Sequence, residues 1–204
     1  MNKLHLGSGN QPKKGWINLD ILPGKNVDVV HDLNYFPYPF KDNSIDEIYT
    51  EYVLEHMKDI IGTLKEIYRI CKNKAIIEII VPHFTAHRMF GDLTHHRFFS
   101  YTSFDNFITN PSKYDGSYRN VNYAPDIKFK MISKRICFYQ KGKKKGRNTK
   151  FMAVFDEIFN YKFMPLLYER FFCFIIPATQ LHFKLKVIKV INLPREFHQP
   201  LGCG

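Results

Sequence analysis

The stretch that decides the fold is Lys3-Leu4-His5-Leu6-Gly7-Ser8-Gly9. Its first four residues are typical of a short strand, and the glycines that follow predict a tight turn. Glycine has no side chain and adopts positive φ, so such a turn lets the backbone approach a ligand closely. We therefore expect a ligand-binding turn at the carboxyl end of the first strand.

The residues after this turn exclude two common nucleotide motifs. The dinucleotide fingerprint G-x-G-x-x-G requires glycine at position 12, where the chain has Pro12. The P-loop requires G-x-x-x-x-G-K-[ST], and the spacing from Gly9 to Gly15, followed by Trp16, does not match it. Sites for NAD and for nucleoside triphosphates are therefore disfavoured.

Strand and helix patterns alternate outward from this turn. Apolar residues recur every three or four positions over 59–72 and predict a helix that ends at Asn73. The almost wholly apolar run 75–81 is expected of a strand that is covered on both faces of a parallel sheet. This alternation predicts an α/β fold with a doubly wound sheet. The other predicted strands span residues 16–20, 26–33, 45–52, 128–139 and 181–191.

Composition bounds the architecture and the setting. With 204 residues, 45% hydrophobic and 24% charged, the chain is long enough for one domain and too apolar for general disorder. The net charge of +11 favours anionic partners without naming one. Four separated cysteines without a C-x-x-C pair indicate a reducing compartment. No secretion signal or membrane-spanning run is recognisable, which predicts a cytoplasmic, soluble protein.

Two acids follow predicted strands. Asp20 ends the second strand, where a carboxylate accepts hydrogen bonds from ribose hydroxyls in nucleotide-binding α/β folds. Asp32, followed by Leu33, ends the third strand, and an acid beside an apolar residue suits an adenine. Aspartate also starts turns and caps helices. The order of the glycine turn and both acids, on three successive strand ends, favours the ligand-binding interpretation.

Five segments in this order resemble the class I S-adenosylmethionine-dependent methyltransferases, in particular the methyltransferase type 11-like group. They are LHLGSG, GWINLDI, VDVVHDL, PYPFKDNSIDEIYTEYVLEHM and AIIEIIVPHF, and the resemblance covers about residues 3–105. It implies a Rossmann-like seven-stranded sheet with helices on both faces. It also implies S-adenosylmethionine as cofactor and S-adenosylhomocysteine as product. The irregular stretch over 82–122 is too long for an ordinary connection, which predicts a lid inserted after the fifth strand.

The resemblance implies a role for each matching region. Residues 7–9 would surround the methionine end of the cofactor, Asp20 would hold its ribose, and Asp32 with Leu33 would frame its adenine. Residues 51–56 would form the floor under the methyl group. The full implied cofactor set is Gly7, Ser8, Gly9, Asn10, Asp20, Ile21, Asp32, Leu33, Glu51, Tyr52 and His56.

The expected single domain has three parts. Residues 1–81 would bind the cofactor, 82–127 would form the acceptor lid, and 128–204 would supply the late strands.

The chain departs from the family pattern in two places. Only 10 residues separate Gly9 from Asp20, so the first crossover has room for about one turn instead of a helix. The first predicted strand begins at Lys3, without the N-terminal helix pattern that often covers the cofactor, so we expect another segment to cover the site.

Four histidines and one acid follow the fifth predicted strand within 14 residues. Ligand sites of such sheets lie beyond the carboxyl ends of the strands, so this cluster is expected to face the acceptor. A neutral imidazole suits removal of a proton from a hydroxyl or amine, which makes His83 and His95 the predicted catalytic residues. The cluster consists of His83, His87, Asp92, His95 and His96.

Other interpretations of the cluster stay open, although we expect that it binds no metal. His83 and His87 could bind a metal from one helix face, but no glutamate completes an H-E-x-x-H motif. The histidines could instead only hydrogen-bond to the backbone of a lid. Alternatively, Arg88 and Arg97 could hold an anionic acceptor with them. His56 itself could be catalytic, although a structural hydrogen bond is commoner at such a place.

A basic run and an aromatic stripe follow later in the chain. The run from Lys141 to Lys150 holds six positive charges and no acid. Such a run most often forms a solvated loop, and the alternative is a surface that contacts nucleic acid or an anionic membrane. Aromatic residues over 151–174 recur at helical spacing, which is typical of a core or a dimer face, with a membrane-interface helix as the alternative.

Together these patterns predict a methyltransferase that acts on a hydroxyl or amine of a small molecule, such as a sugar or metabolite. One alternative is an S-adenosylmethionine-binding protein or nucleic-acid methyltransferase that associates with RNA or a membrane through the basic run. A second alternative is a metal-dependent enzyme that uses the histidine cluster over 83–96. A homo-oligomer is compatible with the aromatic stripe.

Overall fold

The computed structural model describes residues 1–109, 124–138 and 147–189, with the backbone alone over 147–152. Within these residues seven strands form one mixed sheet, and the predicted α/β class is confirmed. The strands are Lys3–Leu6 (β1), Ile17–Asp20 (β2), Val29–Val30 (β3), Ile45–Glu51 (β4), Cys71–Pro82 (β5), Phe129–Cys137 (β6) and Gln180–Val187 (β7).

The strand order predicts where a ligand-binding crevice lies. The order is β3-β2-β1-β4-β5-β7-β6, with parallel pairs from β3 to β5 and with β7 antiparallel to both β5 and β6. The chain builds outward from β1 on one side and then crosses to β4 on the other. Ligands of open α/β sheets bind at such a reversal, beyond the carboxyl ends of the strands. Here the reversal lies between Leu6 and Glu51, the last residues of β1 and β4.

The core follows the apolar runs of the sequence. Ile77, Ile79 and Val81 of β5 are almost fully buried, and β5 pairs with β4 on one side and β7 on the other. The apolar run over 75–81 predicted this double coverage. The predicted strand over 26–33 is much shorter in the structure, because only Val29 and Val30 pair with β2 at the edge of the sheet.

Helix α1 spans Ile60–Ile70 and packs its apolar stripe into the core. Asp59 caps the start of the helix, since its carboxylate accepts the Gly62 N–H at 2.9 Å. The prediction that Asn73 ends this helix is wrong. Cys71 already begins β5, so the helix passes into the strand two residues earlier.

The side chain of Asn18 holds the short first crossover. Its Oδ1 accepts the Lys13 N–H at 2.8 Å, and its amide donates to the carbonyls of Lys13 and Trp16 at 3.2 and 3.1 Å. Asn18 is buried, so these bonds supply partners that a helix would otherwise give the backbone. Residues 10–16 form no helix, as the spacing predicted.

The aromatic segment near the carboxyl end is divided into three short helices. Helix α3 spans Arg147–Phe159, α4 spans Met164–Leu167, and a π-helical turn spans Tyr168–Phe172. Lys162 has a φ of 46° between α3 and α4, which a continuous right-handed helix does not allow. The prediction of one helical segment over 151–174 is therefore wrong in its continuity, although its core residue Phe159 is buried.

The histidine-rich segment after β5 lies partly in the core. It contains helix α2, His87–Gly91, and its later residues Phe99 and Phe104 are buried. Phe104 packs edge-on against Phe183 of β7, with ring centroids 4.8 Å apart. The lid predicted over 82–127 includes residues 110–123, which lie outside the described residues, as do residues 141–146 of the basic run.

No described helix is long and apolar enough to cross a membrane.

Candidate active site

The carboxyl ends of β1 to β4 meet at one edge of the sheet, the cofactor edge (residues 7–10, 20–22, 32–34 and 51–52). These four strands are parallel, so the residues that follow them lie on the same side of the molecule. The structure therefore brings together the glycine turn, both aspartates and Glu51, which the sequence predicted as one site.

Two glycines shape the turn after β1. Gly7 and Gly9 have φ values of 66° and 46°, which favour glycine. A Cβ on Gly7 would lie 2.1 Å from Cγ2 of Val53, so no side chain fits there. No atom of residues 1–109, 124–138 or 147–189 lies within 4 Å of the place that a Cβ on Gly9 would take, so these residues leave open space beside Gly9.

Asp20 ties the glycine turn to β2. Its Oδ2 accepts the Gly9 N–H at 2.7 Å, and its Oδ1 accepts the Leu22 N–H at 3.1 Å. The Ser8 N–H donates to the Leu19 carbonyl at 3.0 Å, which adds a second link between turn and strand. The Asp20 side chain stays partly exposed, so its carboxylate can also accept hydrogen bonds from a ligand.

One buried polar atom of the turn has no partner. Ser8 is 2% exposed, and its Oγ makes no hydrogen bond within the described part of the chain. A buried hydroxyl without a partner is costly in free energy. Its position marks a place where a polar group of a ligand would lie.

The remaining residues implied to bind the cofactor differ in their exposure and in their hydrogen bonds. Oδ1 of Asp32 accepts the backbone and side-chain N–H groups of Asn34 at 2.9 and 3.1 Å, so this acid shapes its own loop. Leu33 is 5% exposed and belongs to the core, whereas Ile21 is 57% exposed at the cofactor edge. Asn10 is exposed after the glycine turn.

Tyr52 joins the cofactor edge to a neighbouring cleft. Glu51 before it accepts the Tyr49 hydroxyl at 2.6 Å, and Tyr52 has a φ of 55°. The Tyr52 N–H donates to the Ile80 carbonyl at 2.9 Å, and its hydroxyl donates to Oε1 of Gln180. These bonds fix a ring that lines the neighbouring cleft.

A polar cleft of about 430 Å³ lies beyond the ends of β4 and β5. Its walls come from the 3-10 turn Leu54–His56, from the end of β5, and from α2 with the loop after it. The cleft contains three residues of the predicted site. Its lining consists of Tyr52, Glu55, His56, Pro82, His87, Arg88, Gly91, Asp92 and His95.

Glu55 is a residue that the sequence analysis did not single out. It is 0% exposed, and neither carboxylate oxygen has a hydrogen-bond partner among the described residues. Burial raises the pKa of Glu55 to about 7. Its backbone carbonyl accepts the N–H groups of His96 and Arg97 at 2.7 and 3.1 Å, which ties the histidine-rich segment to this turn. The sequence signal that could have identified Glu55 is its position directly before His56, shortly after a strand ends.

Hydrogen bonds set the tautomers of His56 and His95. The Thr94 hydroxyl donates to Oδ1 of Asp92 at 2.6 Å, so Thr94 Oγ1 accepts the N–H of His56 Nδ1 at 2.9 Å. The Met89 carbonyl, 3.0 Å from His95 Nδ1, can only accept, so that nitrogen also carries a proton. Each neutral ring therefore keeps a lone pair on Nε2. Burial, and then the nearby His95, lower the pKa of His56.

Glu55, His56 and His95 form a compact group, the cleft triad. One donor atom of each lies within 4.8 Å of the donor atoms of the other two. The two imidazole rings meet edge to face with centroids 4.7 Å apart. Oδ2 of Asp92 is 3.9 Å from His95 Nε2, which is too far for a hydrogen bond.

The structure does not bring His83, the other predicted catalytic residue, to this cleft. His83 is 0% exposed, and its Nδ1 accepts the Thr85 N–H at 3.1 Å. Its Nε2 therefore carries the proton and lies 3.2 Å from Oε1 of Glu169. Both ring nitrogens are occupied, so the ring has no free nitrogen to offer a substrate.

The other polar residues of the histidine-rich segment differ in whether they line the cleft. His87 and Arg88 line the cleft from α2, whereas Arg97 donates to the carbonyls of Met57 and Lys58. The alternative that His83 and His87 share one helix face is wrong, because α2 begins at His87.

An apolar pocket of about 320 Å³ lies on the other side of α2. Phe90 of α2 lines this pocket, whereas Arg88 of the same helix lines the polar cleft. A polar acceptor that must lose a proton therefore fits the polar cleft better. The lining residues of the apolar pocket are Phe84, Phe90, Phe98, Phe99, Ser100 and Phe174.

Comparison with known proteins gives one family match. Residues 19–79 match the methyltransferase domain family Methyltransf_11. This range runs from β2 through most of β5 and includes Asp20, Asp32 and two members of the cleft triad. No curated protein sequence matches the chain.

Solved structures share the fold over almost the whole chain. YcgJ from Bacillus subtilis is 14% identical, with 93% of this chain and 92% of that chain covered and a TM-score of 0.54. A SAM-dependent methyltransferase from Archaeoglobus fulgidus is 17% identical, with coverages of 91% and 85% and a TM-score of 0.51. One from Mesorhizobium loti is 11% identical, with coverages of 91% and 90% and a TM-score of 0.50. At these identities the likeness shows the fold.

The family match and the fold lead to the same class. The match over residues 19–79 and the shared fold support a class I S-adenosylmethionine-dependent methyltransferase, a class of enzymes whose cofactor is S-adenosylmethionine. The methyl acceptor does not follow from either comparison.

Proposed function

We propose that this class I S-adenosylmethionine-dependent methyltransferase methylates a hydroxyl or amine of a small polar molecule, such as a sugar or metabolite, in the polar cleft. Residues 1–81 form the cofactor-binding half, and the segment after β5 supplies the far wall of the acceptor cleft. The observation that carries this proposal is the adjacency of two sites. Tyr52 ends the cofactor edge and also lines the cleft.

The cofactor edge has features that fit S-adenosylmethionine. Ser8 offers a buried hydroxyl without a partner, and Gly9 leaves open space beside it. The partly exposed carboxylate of Asp20 can accept the ribose hydroxyls, as acids at this place do in nucleotide-binding folds. When bound, S-adenosylmethionine supplies a methyl group on a positively charged sulfur. Ile21 offers an exposed apolar surface for the adenine.

The cleft can orient a polar acceptor and remove its proton. A cavity of about 430 Å³ has room for a sugar-sized molecule. Arg88 and His87 of α2 offer donors to the cleft, and the cleft triad offers acceptors. Of the two predicted catalytic residues, His95 is the one placed to act, because its Nε2 keeps a lone pair beside the cleft.

Calorimetric titration with S-adenosylhomocysteine tests the cofactor part of the proposal. The wild type is expected to bind, and Asp20→Ala is expected to bind at least about 100-fold more weakly, because two ribose hydroxyls lose a charged acceptor. Asp20→Asn keeps an oxygen for the Gly9 N–H and should lose only about tenfold. Asp42→Ala, at an exposed acid that pairs with Arg69, is the matched control and should bind as the wild type does.

Two results would contradict this assignment. One is the absence of S-adenosylhomocysteine binding by the folded wild type, with and without small hydroxylated acceptors present. The other is unchanged affinity in folded Asp20→Ala, which would place the cofactor elsewhere.

A further inference from the structure

We propose that the cleft triad binds one divalent transition-metal cation through a carboxylate oxygen of Glu55 and the Nε2 atoms of His56 and His95. The inference deepens the proposed function, since it names what prepares the acceptor, and it rests on that function only for the acceptor's identity. Cation binding itself needs neither cofactor nor acceptor.

The donor set is compact and of the right chemical kind. One donor atom of each triad member lies within 4.8 Å of the other two. Two imidazoles and one glutamate form the protein ligand set of several catalytic zinc sites, and imidazole nitrogen also suits other first-row transition cations. Tetrahedral zinc holds its ligands about 3.4 Å apart, so binding would draw these side chains together by roughly 1 Å.

The second shell of hydrogen bonds is the strongest argument for a cation. Histidines that ligate metals usually donate the other ring N–H to a carbonyl, a carboxylate or a similar acceptor. His95 donates from Nδ1 to the Met89 carbonyl, and His56 donates from Nδ1 to Thr94, whose hydroxyl is itself held by Asp92. Both rings are therefore fixed with the lone pair of Nε2 free to bind a cation.

Glu55 supplies an independent observation that points to a cation at this place. Its side chain is 0% exposed, and both oxygens lack a partner among the described residues. Buried carboxylates in proteins are almost always paired with a cation or hydrogen-bonded. Elsewhere in this chain the Asp105 carboxylate is paired with a cation in this way, since its Oδ1 lies 2.8 Å from Nζ of Lys134. A bound cation would satisfy Glu55 in the same way.

His83 shows what a structural histidine of this chain looks like. It is as deeply buried as Glu55, but both of its nitrogens have hydrogen-bond partners. The histidines of the triad differ from it because, within the described ranges, each ring is hydrogen-bonded through Nδ1 alone. This difference separates a ligand site from a buried hydrogen-bond network.

A cation at the triad would take the Nε2 lone pair of His95, so it would prepare a hydroxyl acceptor by coordination and not by proton transfer to that nitrogen. Three protein ligands leave at least one coordination position open, and the triad lines the polar cleft. An acceptor oxygen that binds there is oriented by the cation, and its pKa is lowered. The inferred substrate class is therefore a small molecule that carries a hydroxyl able to coordinate a metal.

The test is calorimetric titration of the full chain with Zn²⁺ after treatment with a chelator and its removal. We expect one high-affinity zinc per chain for the wild type. Glu55→Gln and His95→Ala should each bind zinc at least about 100-fold more weakly, since even loss of a second-shell group costs 10–100-fold. Thr94→Val, which removes only the partner of His56, should lose about tenfold.

His96→Ala is the matched control. His96 is exposed, is adjacent to His95 in the sequence and is not a member of the triad, so its removal should leave zinc affinity within about twofold. Circular dichroism and thermal unfolding establish that each variant is folded. Zinc affinity that is equal in the wild type and in folded His95→Ala, or no high-affinity zinc in the wild type, would overturn the inference.

Titration of the same samples with S-adenosylhomocysteine keeps the two proposals separate. Loss of zinc binding in Glu55→Gln with cofactor affinity retained supports a metal site that is distinct from the cofactor edge. Cofactor binding without any zinc binding in the wild type would overturn the metal site and leave the proposed function intact. Zinc binding without cofactor binding would support the metal site and contradict the proposed cofactor assignment.

Discussion

The cofactor edge and the polar cleft lie side by side, yet their acidic side chains differ in whether they are hydrogen-bonded. At the cofactor edge Asp20 is bonded to the Gly9 N–H, and Asp32 is bonded to Asn34. In the cleft Glu55 is fully buried, and its carboxylate has no hydrogen-bond partner in the part of the chain that the structure describes. The first site is a turn that its own backbone holds in place, whereas the second is an arrangement of side chains that a ligand would complete.

The difference predicts how each region responds to substitution. A site held by its own hydrogen bonds loses stability when one of its residues is changed. A buried group without a partner lowers the free energy of unfolding, so its replacement by an apolar residue stabilises the fold. Stability measurements therefore distinguish the two regions even before activity is measured.

The largest expected effect is at the glycine turn. Gly7→Ala places a Cβ 2.1 Å from Cγ2 of Val53 at a φ of 66°. We expect the free energy of unfolding to fall by about 3–5 kcal/mol, from overpacking plus left-handed backbone strain. Gly9→Ala has the strain without the clash and should cost about 1–2 kcal/mol. Chemical denaturation of both variants measures the difference, and equal losses would show that Val53 does not set the turn.

The second prediction compares two glutamates. Glu55→Met removes a buried carboxylate without a partner and should raise the free energy of unfolding by about 1–3 kcal/mol. Glu66→Met removes an acceptor for Arg69 and for the Tyr38 N–H and should lower it by about 2 kcal/mol. Metal-free protein is required for both measurements. Destabilisation by Glu55→Met would mean that this carboxylate is a structural group.

The smallest expected effect is a pH dependence at Glu66. Hydrogen bonds from the Arg69 guanidinium hold the pKa of Glu66 below its usual range. A depressed pKa contributes stability above the unfolded pKa, and this contribution is lost as the pH falls through the folded value. The stability gap between wild type and Glu66→Met should therefore narrow by about 1 kcal/mol as the pH falls from neutral into the acidic range. Denaturation series at several pH values measure the gap, and a constant gap would contradict the role of the ionised pair.

Much of the fold could be predicted because it depends on local patterns. The alternation of apolar runs gave β1, β4 and β5, and three-and-four spacing gave α1. The end of α1 was predicted wrongly because Cys71 pairs with Ile45 on β4, a contact that no local signal at Asn73 reveals. The strand over 26–33 was overextended because its pairing at the sheet edge ends after Val30.

The cofactor edge could be predicted from the sequence better than the cleft. Positions that follow parallel strands meet at one edge, so the order of the glycine turn and the acids was sufficient. The choice between His83 and His95 depends on which ring nitrogens have partners, and spacing along the chain does not contain that information. Glu55 was missed for the same reason, since its significance is the lack of a partner in three dimensions.

Transfer of a radiolabelled methyl group from S-adenosylmethionine distinguishes a small-molecule acceptor from RNA and protein. The purified enzyme is incubated with the low-molecular-weight, RNA and protein fractions of a cell extract, beside Asp20→Ala and His95→Ala. We expect label in the low-molecular-weight fraction with the wild type and at least about a 100-fold loss in both variants. Label that enters RNA or protein instead, or transfer that His95→Ala performs as well as the wild type, would contradict the proposed function.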